Sequence, residues 1–253
     1  MSILANRIYY IDSEKRVAGT PSNFSYALDI PEGEKYDSCC VLSMTVPRSF
    51  YLVRDKLNIF KVEVDGTTYQ IAVPPGNYNA RDFMPLLRNL LQPYVNMSIS
   101  FDSITGKYAY SYTDEKAVKF IFEHPSRIGL QMGFDEVSTH EFVGKKLTSV
   151  NVLNFISTST LFVHSDMVND SSSILQELYA DNTAPFSNLV YHCQYPGMYN
   201  KRLKNAKNGV FNFSLVDEHD QEVDLNGHHI LMTILLYKKE NLPLLFKTIF
   251  ANQ

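Results

Sequence analysis

The residues best placed for chemistry in this chain are His164 and Asp166, whose i, i+2 spacing puts an imidazole and a carboxylate on one face of a strand. That arrangement suits the start of a metal site, or a base held by its orienting carboxylate. No third ligand or nucleophile accompanies them, so they read as an ordinary hydrogen-bonded pair at a strand end, and no metal is expected. The rings of His228 and His229 should diverge if a strand has already begun there. Asp135-Glu136, Asp217-Glu218 and Glu222 with Asp224 are the residue types that a glycoside hydrolase places across a cleft. All of them sit in polar, turn-like contexts and read as solvated loop charge. The sequence contains no Gly-x-Ser-x-Gly elbow, no phosphate-binding loop and no dinucleotide fingerprint. No catalytic residue and no cofactor is expected, and the chain does not read as an enzyme.

Lys201, Arg202, Lys204 and Lys207, beside Tyr195 and Tyr199, combine charge with stacking surfaces as single-stranded nucleic-acid binders do. A formal net charge of -4 leaves such contact weak and salt-sensitive. Cys39 and Cys40 are adjacent in an expected strand and face opposite ways, so they cannot share a metal; with Cys193 they suggest a reducing compartment. Ile3-Leu4-Ala5 runs into Asn6 and Arg7, short of a secretory signal, and no apolar run reaches the roughly 20 residues of a membrane span. Asn23-Phe-Ser and Asn212-Phe-Ser match the glycosylation pattern, yet both fall inside expected strands.

The elements that must position these residues are mostly strands. Phe24, Tyr26, Leu28 and Ile30 alternate with polar or small neighbours, and Cys40, Leu42, Met44 and Val46 repeat the pattern up to Pro47. Asp65-Gly66 between Phe60-Val62-Val64 and Tyr69-Ile71-Val73 predicts a hairpin with a type I′ turn. Phe83, Leu86, Leu87, Leu90 and Leu91 predict one helix, with Asp82 the preferred N-cap because Pro85 then costs little. Met97-Ile99-Phe101 should face Tyr108-Tyr110-Tyr112, with Val118-Phe120-Phe122 as a third strand. Further strands are expected at 161–164, 189–193 and 211–215, and the doubly apolar 230–237 belongs in a covered, central position. Many short strands and one helix point to an all-β sandwich; this pattern alone does not separate a jelly roll from an immunoglobulin-like arrangement. The apolar tail carries Leu245, Phe246, Ile249 and Phe250, which either pack on their own domain or dock on a neighbouring subunit.

Five short motifs occur in a telling order: Pro21-Ser-Asn-Phe24, Val46-Pro-Arg-Ser-Phe-Tyr51, Pro75-Gly-Asn-Tyr78, Gln131-Met-Gly-Phe134 and Asp224-Leu-Asn-Gly227. In that order they resemble the penton, or minor capsid, protein of polinton-like viruses, adintoviruses and virophages. The resemblance implies a single jelly-roll β-sandwich that forms homopentamers at icosahedral vertices beside a double-jelly-roll major capsid protein. It places the chain in the virion capsid, assembled inside the host cell, where the basic cluster would touch the packaged genome only weakly. The strand count and the Asp65-Gly66 hairpin predict a jelly roll of residues 1–53 and 145–253 interrupted by an inserted β-rich domain with one helix at 54–144, and the resemblance implies that such an insertion faces outward. Met132 and Pro85 depart from the family pattern. A glycan- or receptor-binding jelly roll, using the abundant tyrosines, is the alternative, and the tail residues are the candidate subunit interface.

Overall fold

The computed structural model describes residues 6–156, 158–180, 186–204 and 209–239. The chain divides into two compact units, Met1–Phe50 with Thr158–Gln253, and Tyr51–Ser157.

The first unit opens with β1 (Asn6–Asp12), β2 (Ala18–Gly19), β3 (Asn23–Ala27) and β4 (Ser38–Pro47). The second unit follows as β5 (Ile59–Val64), β6 (Thr67–Ala72), α1 (Ala80–Leu91), β7 (Met97–Asp102), β8 (Lys107–Tyr112), β9 (Val118–Phe122), α2 (Ile128–Met132), β10 (Ser138–Glu141) and β11 (Lys146–Thr148). The chain then returns to the first unit with β12 (Thr160–Ser165), β13 (Ile174–Tyr179), β14 (Asn188–His192), β15 (Lys201–Arg202), β16 (Val210–Asp217) and β17 (Leu231–Tyr237).

In the first unit one sheet has the order β1-β17-β4-β14, with β15 also on β4, and the other has β13-β12-β16-β3-β2. If the eight principal strands are counted along the chain, the first sheet joins the first, eighth, third and sixth, and the second sheet joins the fifth, fourth, seventh and second. The first unit is a jelly roll.

Its core follows from strict alternation. Phe211, Phe213 and Leu215 of β16 are buried while their neighbours are not, and Phe213 stacks on Phe24 at 5.4 Å. The doubly apolar run is β17, central between β1 and β4. A bulge between Thr233 and Ile234 offsets its register on β4. Ile234 and Leu236 then face the main core, while Leu235 and Tyr237 join Cys40 in a smaller cluster.

In the second unit β10-β9-β5-β6 and β11-β8-β7 form two sheets over one aromatic core. The Asp65-Gly66 turn has φ of 50° and 78°, the positive values of a type I′ hairpin. Met97, Ile99 and Phe101 pair with Tyr112, Tyr110 and Tyr108. The strand at Val118–Phe122 does not extend that hairpin; it pairs with β5 and β10 instead. Its period shows which face is buried and carries no information about which strand lies alongside.

The helix start also differs from expectation. Asn79, not Asp82, is the N-cap, its side chain accepting the amides of Arg81 and Asp82 at 2.9 and 3.0 Å. Asp82 Oδ2 accepts from the Asn79 side-chain Nδ2 in return, which holds the capping side chain in place. Pro85 then lies inside the helix, where burial of Phe83, Leu87 and Leu91 offsets the missing donor.

The expected boundary at residue 145 is displaced too. β11 pairs with β8 through Lys146–Ser111, Leu147–Tyr110 and Thr148–Ala109, so this stretch belongs to the inserted unit and not to the jelly roll. A three-residue edge strand has too little pattern to be seen in advance.

Gly133 closes α2 with φ +79°, and a Cβ there would stand 2.6 Å from Ser149 Cβ and 2.7 Å from Asn151 O. Gly133→Ala should therefore destabilise the second unit by about 1–3 kcal/mol for the backbone alone, with the clash adding to it. A urea midpoint unchanged from wild type would contradict this.

Candidate functional site

Most of the groups with chemical potential are engaged locally, whereas His229 Nδ1 is buried without a hydrogen-bond partner among the described residues. His164 Nδ1 lies 3.0 Å from Ser173 Oγ, while Asp166 accepts the Asn212 backbone amide at 2.8 Å and its side-chain amide at 2.7 Å. The pair shares a strand end but not a partner, and no group of three His, Cys, Asp or Glu side chains able to hold a metal occurs among the described residues. Asp166 and Ser25 Oγ also engage the Asn212 side chain that matched the glycosylation pattern.

The carboxylate pairs shape loops. Glu136 pairs with Arg127 at 3.0 Å and Asp135 accepts from Asn151. Asp217, fully buried, accepts the amides of His219 and Gln221 in the turn after β16. Glu222 gathers Thr20 Oγ1, Ser22 Oγ and Asn23 Nδ2 within 3.3 Å, tying the approach to β3 to the approach to β17.

Two of the sequence motifs meet. Ser49 Oγ donates to Leu225 O at 2.6 Å, and Asn226 Nδ2 donates back to Ser49 O. Asn226 and Gly227 both take positive φ, 49° and 84°, and Asp224 Oδ1 accepts the Asn226 amide. The residues after β4 are thereby locked to the turn before β17. These motifs hold a corner of the jelly roll.

The surfaces are more informative. Ile8, Tyr10, Leu231 and Val190 project from the β1-β17-β4-β14 sheet on the side away from the core, and all four are exposed. Leu231 and Val190 flank Thr45 in one row across the sheet. This apolar stripe escaped sequence reading because β1 itself did: Ile8-Tyr9-Tyr10-Ile11 shows no alternation, both faces being apolar. Leu245, Phe246, Ile249 and Phe250 lie outside the described residues, as does Lys207.

Where a loop was expected, Lys201 and Arg202 form β15 on β4. Lys201 lines a groove of about 580 Å³ between the edge strands β13 and β14, together with Glu177, Asn200, Tyr179, Tyr195 and Tyr199. The three tyrosines are more than half exposed.

No protein-family model matches the sequence, and no curated protein matches it significantly. Among solved structures, the chain is similar to the crystal structure of the selenomethionine-labelled penton protein of mavirus. The two are 12% identical, the match covers 93% of this chain and 99% of that one, and the TM-score is 0.47. Among the described residues no helix is long and apolar enough to cross a membrane.

Among the titrating groups, His140 bears on stability. The His140 ring lies 4.4 Å from the ring of Phe134, and burial holds its pKa below the ordinary value, with Asp135 opposing. The unfolded chain therefore takes up this proton first as pH falls. His140's stabilising contribution is complete above the ordinary histidine pKa of about 6.5 and is lost as pH drops toward the lower folded value. His140→Leu should flatten the pH dependence of unfolding in that window; an unchanged slope would contradict the assignment.

Proposed function

We propose that this chain is a capsid subunit, a penton that assembles as a homopentamer at the fivefold vertices of an icosahedral double-stranded DNA virus, in contact with a double-jelly-roll major capsid protein. The observation that carries this reading is the strand order of the first unit, an eight-strand jelly roll interrupted between its third and fourth strands by a self-cored second unit. The motif residues Ser49, Leu225 and Asn226 support it by fastening the corner from which that insertion departs. A ring needs two different complementary patches on every copy, and apolar side chains with little charge are what such patches contain. Ile8, Tyr10, Leu231 and Val190 form one such patch, with a second copy as its occupant; the apolar tail of Leu245, Phe246, Ile249 and Phe250 is a candidate for the other. The inserted unit then serves as the outward-facing domain. The local engagement of His164, Asp166 and the carboxylates supports a role without catalysis. Negative-stain microscopy of the purified full chain tests the proposal: rings with fivefold symmetry are expected, and isolated monomers or twofold dimers would overturn it.

The tyrosine-lined groove favours a second reading, a glycan-binding jelly roll. Exposed aromatic faces flanked by Glu177 and Asn200 suit the apolar faces and hydroxyls of sugars. Glycan-array binding lost in Tyr195→Ala and Tyr199→Ala, from a protein that stays monomeric, would favour this reading over the penton.

A further inference from the structure

We propose that Cys40 and Cys193 are a modification site, a thiol pair that closes to a disulfide in an oxidising environment and staples edge strand β14 to β4. The two sulfurs lie 3.7 Å apart. Strand pairing continues past the end of β14, since the Cys193 amide donates to Leu42 O at 2.8 Å, one step beyond the His192–Ser43 pair. Cys193 thus stands opposite Leu42 and diagonal to Cys40, within reach across the ladder. Bringing the sulfurs to the roughly 2.05 Å of a disulfide moves each by roughly 0.8 Å.

The pairing is selective. Cys39, next in sequence, faces the main core with Val41 and Met44, whereas Cys40 lies in the separate cluster of Leu235 and Tyr237 with Leu42 and Cys193 packed against it. Only Cys193 is part-exposed; Cys39 and Cys40 are buried. The order of events follows from that difference. The Cys193 thiolate attacks one sulfur of a low-molecular-weight disulfide such as oxidised glutathione, which releases one glutathione thiolate and leaves a mixed disulfide. The Cys40 thiol gives its proton to solvent and attacks the Cys193 sulfur, expelling the second glutathione. Two thiols are oxidised, one disulfide is reduced, and the charge balances. Burial and the neighbouring Cys193 push the Cys40 thiol up, so the second step is the slow one.

β14 is the last strand of its sheet and pairs with β4 alone among the described strands. The bond would tie that edge down and close a loop that spans the inserted unit, which constrains the unfolded chain. On the penton reading, the pair would be reduced inside the host cell and oxidised outside it, and would stiffen the jelly roll after release.

The test incubates the folded full-length protein with oxidised glutathione, quenches in acid, alkylates under denaturing conditions and maps the peptides. The expected result is loss of two of the three alkylations, one linked peptide pair containing Cys40 and Cys193, and a raised melting temperature that dithiothreitol reverses. Cys39→Ser should behave as wild type, and Cys40→Ser and Cys193→Ser should not close. A stable glutathione adduct on Cys193 with Cys40 still free, a link involving Cys39, or three free thiols would each overturn the proposal.

Discussion

Replacing Phe120 with alanine should cost the second unit about 3–5 kcal/mol, the usual penalty for deleting a buried aromatic ring. Phe120 is fully buried on β9, and its ring meets those of Tyr110 and Phe142 at 5.2 Å and of Phe60 at 5.9 Å, with Phe134 at 6.3 Å. These contacts join the two sheets of the unit, so no neighbour can fill the void without breaking its own edge-on packing. The loss should be local. Amide exchange protection should fall across Ile59–Val64, Lys107–Tyr112 and Val118–Phe122, and should persist across Val210–Asp217 and Leu231–Tyr237, whose core contains none of the affected rings. Equal loss of protection in both sets would mean that the two cores unfold as one, contrary to the division argued above.

The second large effect concerns assembly. Each apolar side chain buried against a neighbouring copy contributes about 1.5–3 kcal/mol of transfer free energy before ordering costs are subtracted. Tyr10→Asp with Leu231→Asp places two carboxylates on the exposed stripe of the jelly roll, where each wild-type side chain is more than half exposed in the single chain. A fold that does not bury them should melt as wild type, while association weakens by roughly 100-fold or more, since about 1.4 kcal/mol is a factor of ten. Deleting residues 243–253, which removes Leu245, Phe246, Ile249 and Phe250, should likewise lower oligomer mass at unchanged melting temperature. A lowered melting temperature with unchanged mass would assign the tail to its own subunit. Unchanged mass in the double aspartate variant would remove the stripe from the interface.

Period-two strands such as Val210–Asp217, and the hairpin at Asp65-Gly66, were legible because one buried face and a turn with positive φ leave a direct mark on residue order. What such patterns do not encode is which strand lies beside which. The misplaced partner of β9 and the overlooked edge strands β10 and β11 follow from that, and β1 was hidden because its outward residues are as apolar as its inward ones. The same limit applies to the site. Cys40 and Cys193 are separated by 153 positions and meet only because β14 folds onto β4. Glu222 looked like a solvated charge and instead gathers three side chains from residues 20–23. The helix cap was missed for a related reason, since Pro85 argued for a later start and the burial of Phe83, Leu87 and Leu91 outweighed it.

The proposed assembly is a ring of five copies of this jelly roll. Multi-angle light scattering on the purified full chain, at several concentrations and at physiological ionic strength, measures this most directly. A single species at five times the 28.9 kDa chain mass is expected; a concentration-independent monomer or a dimer would rule the ring out.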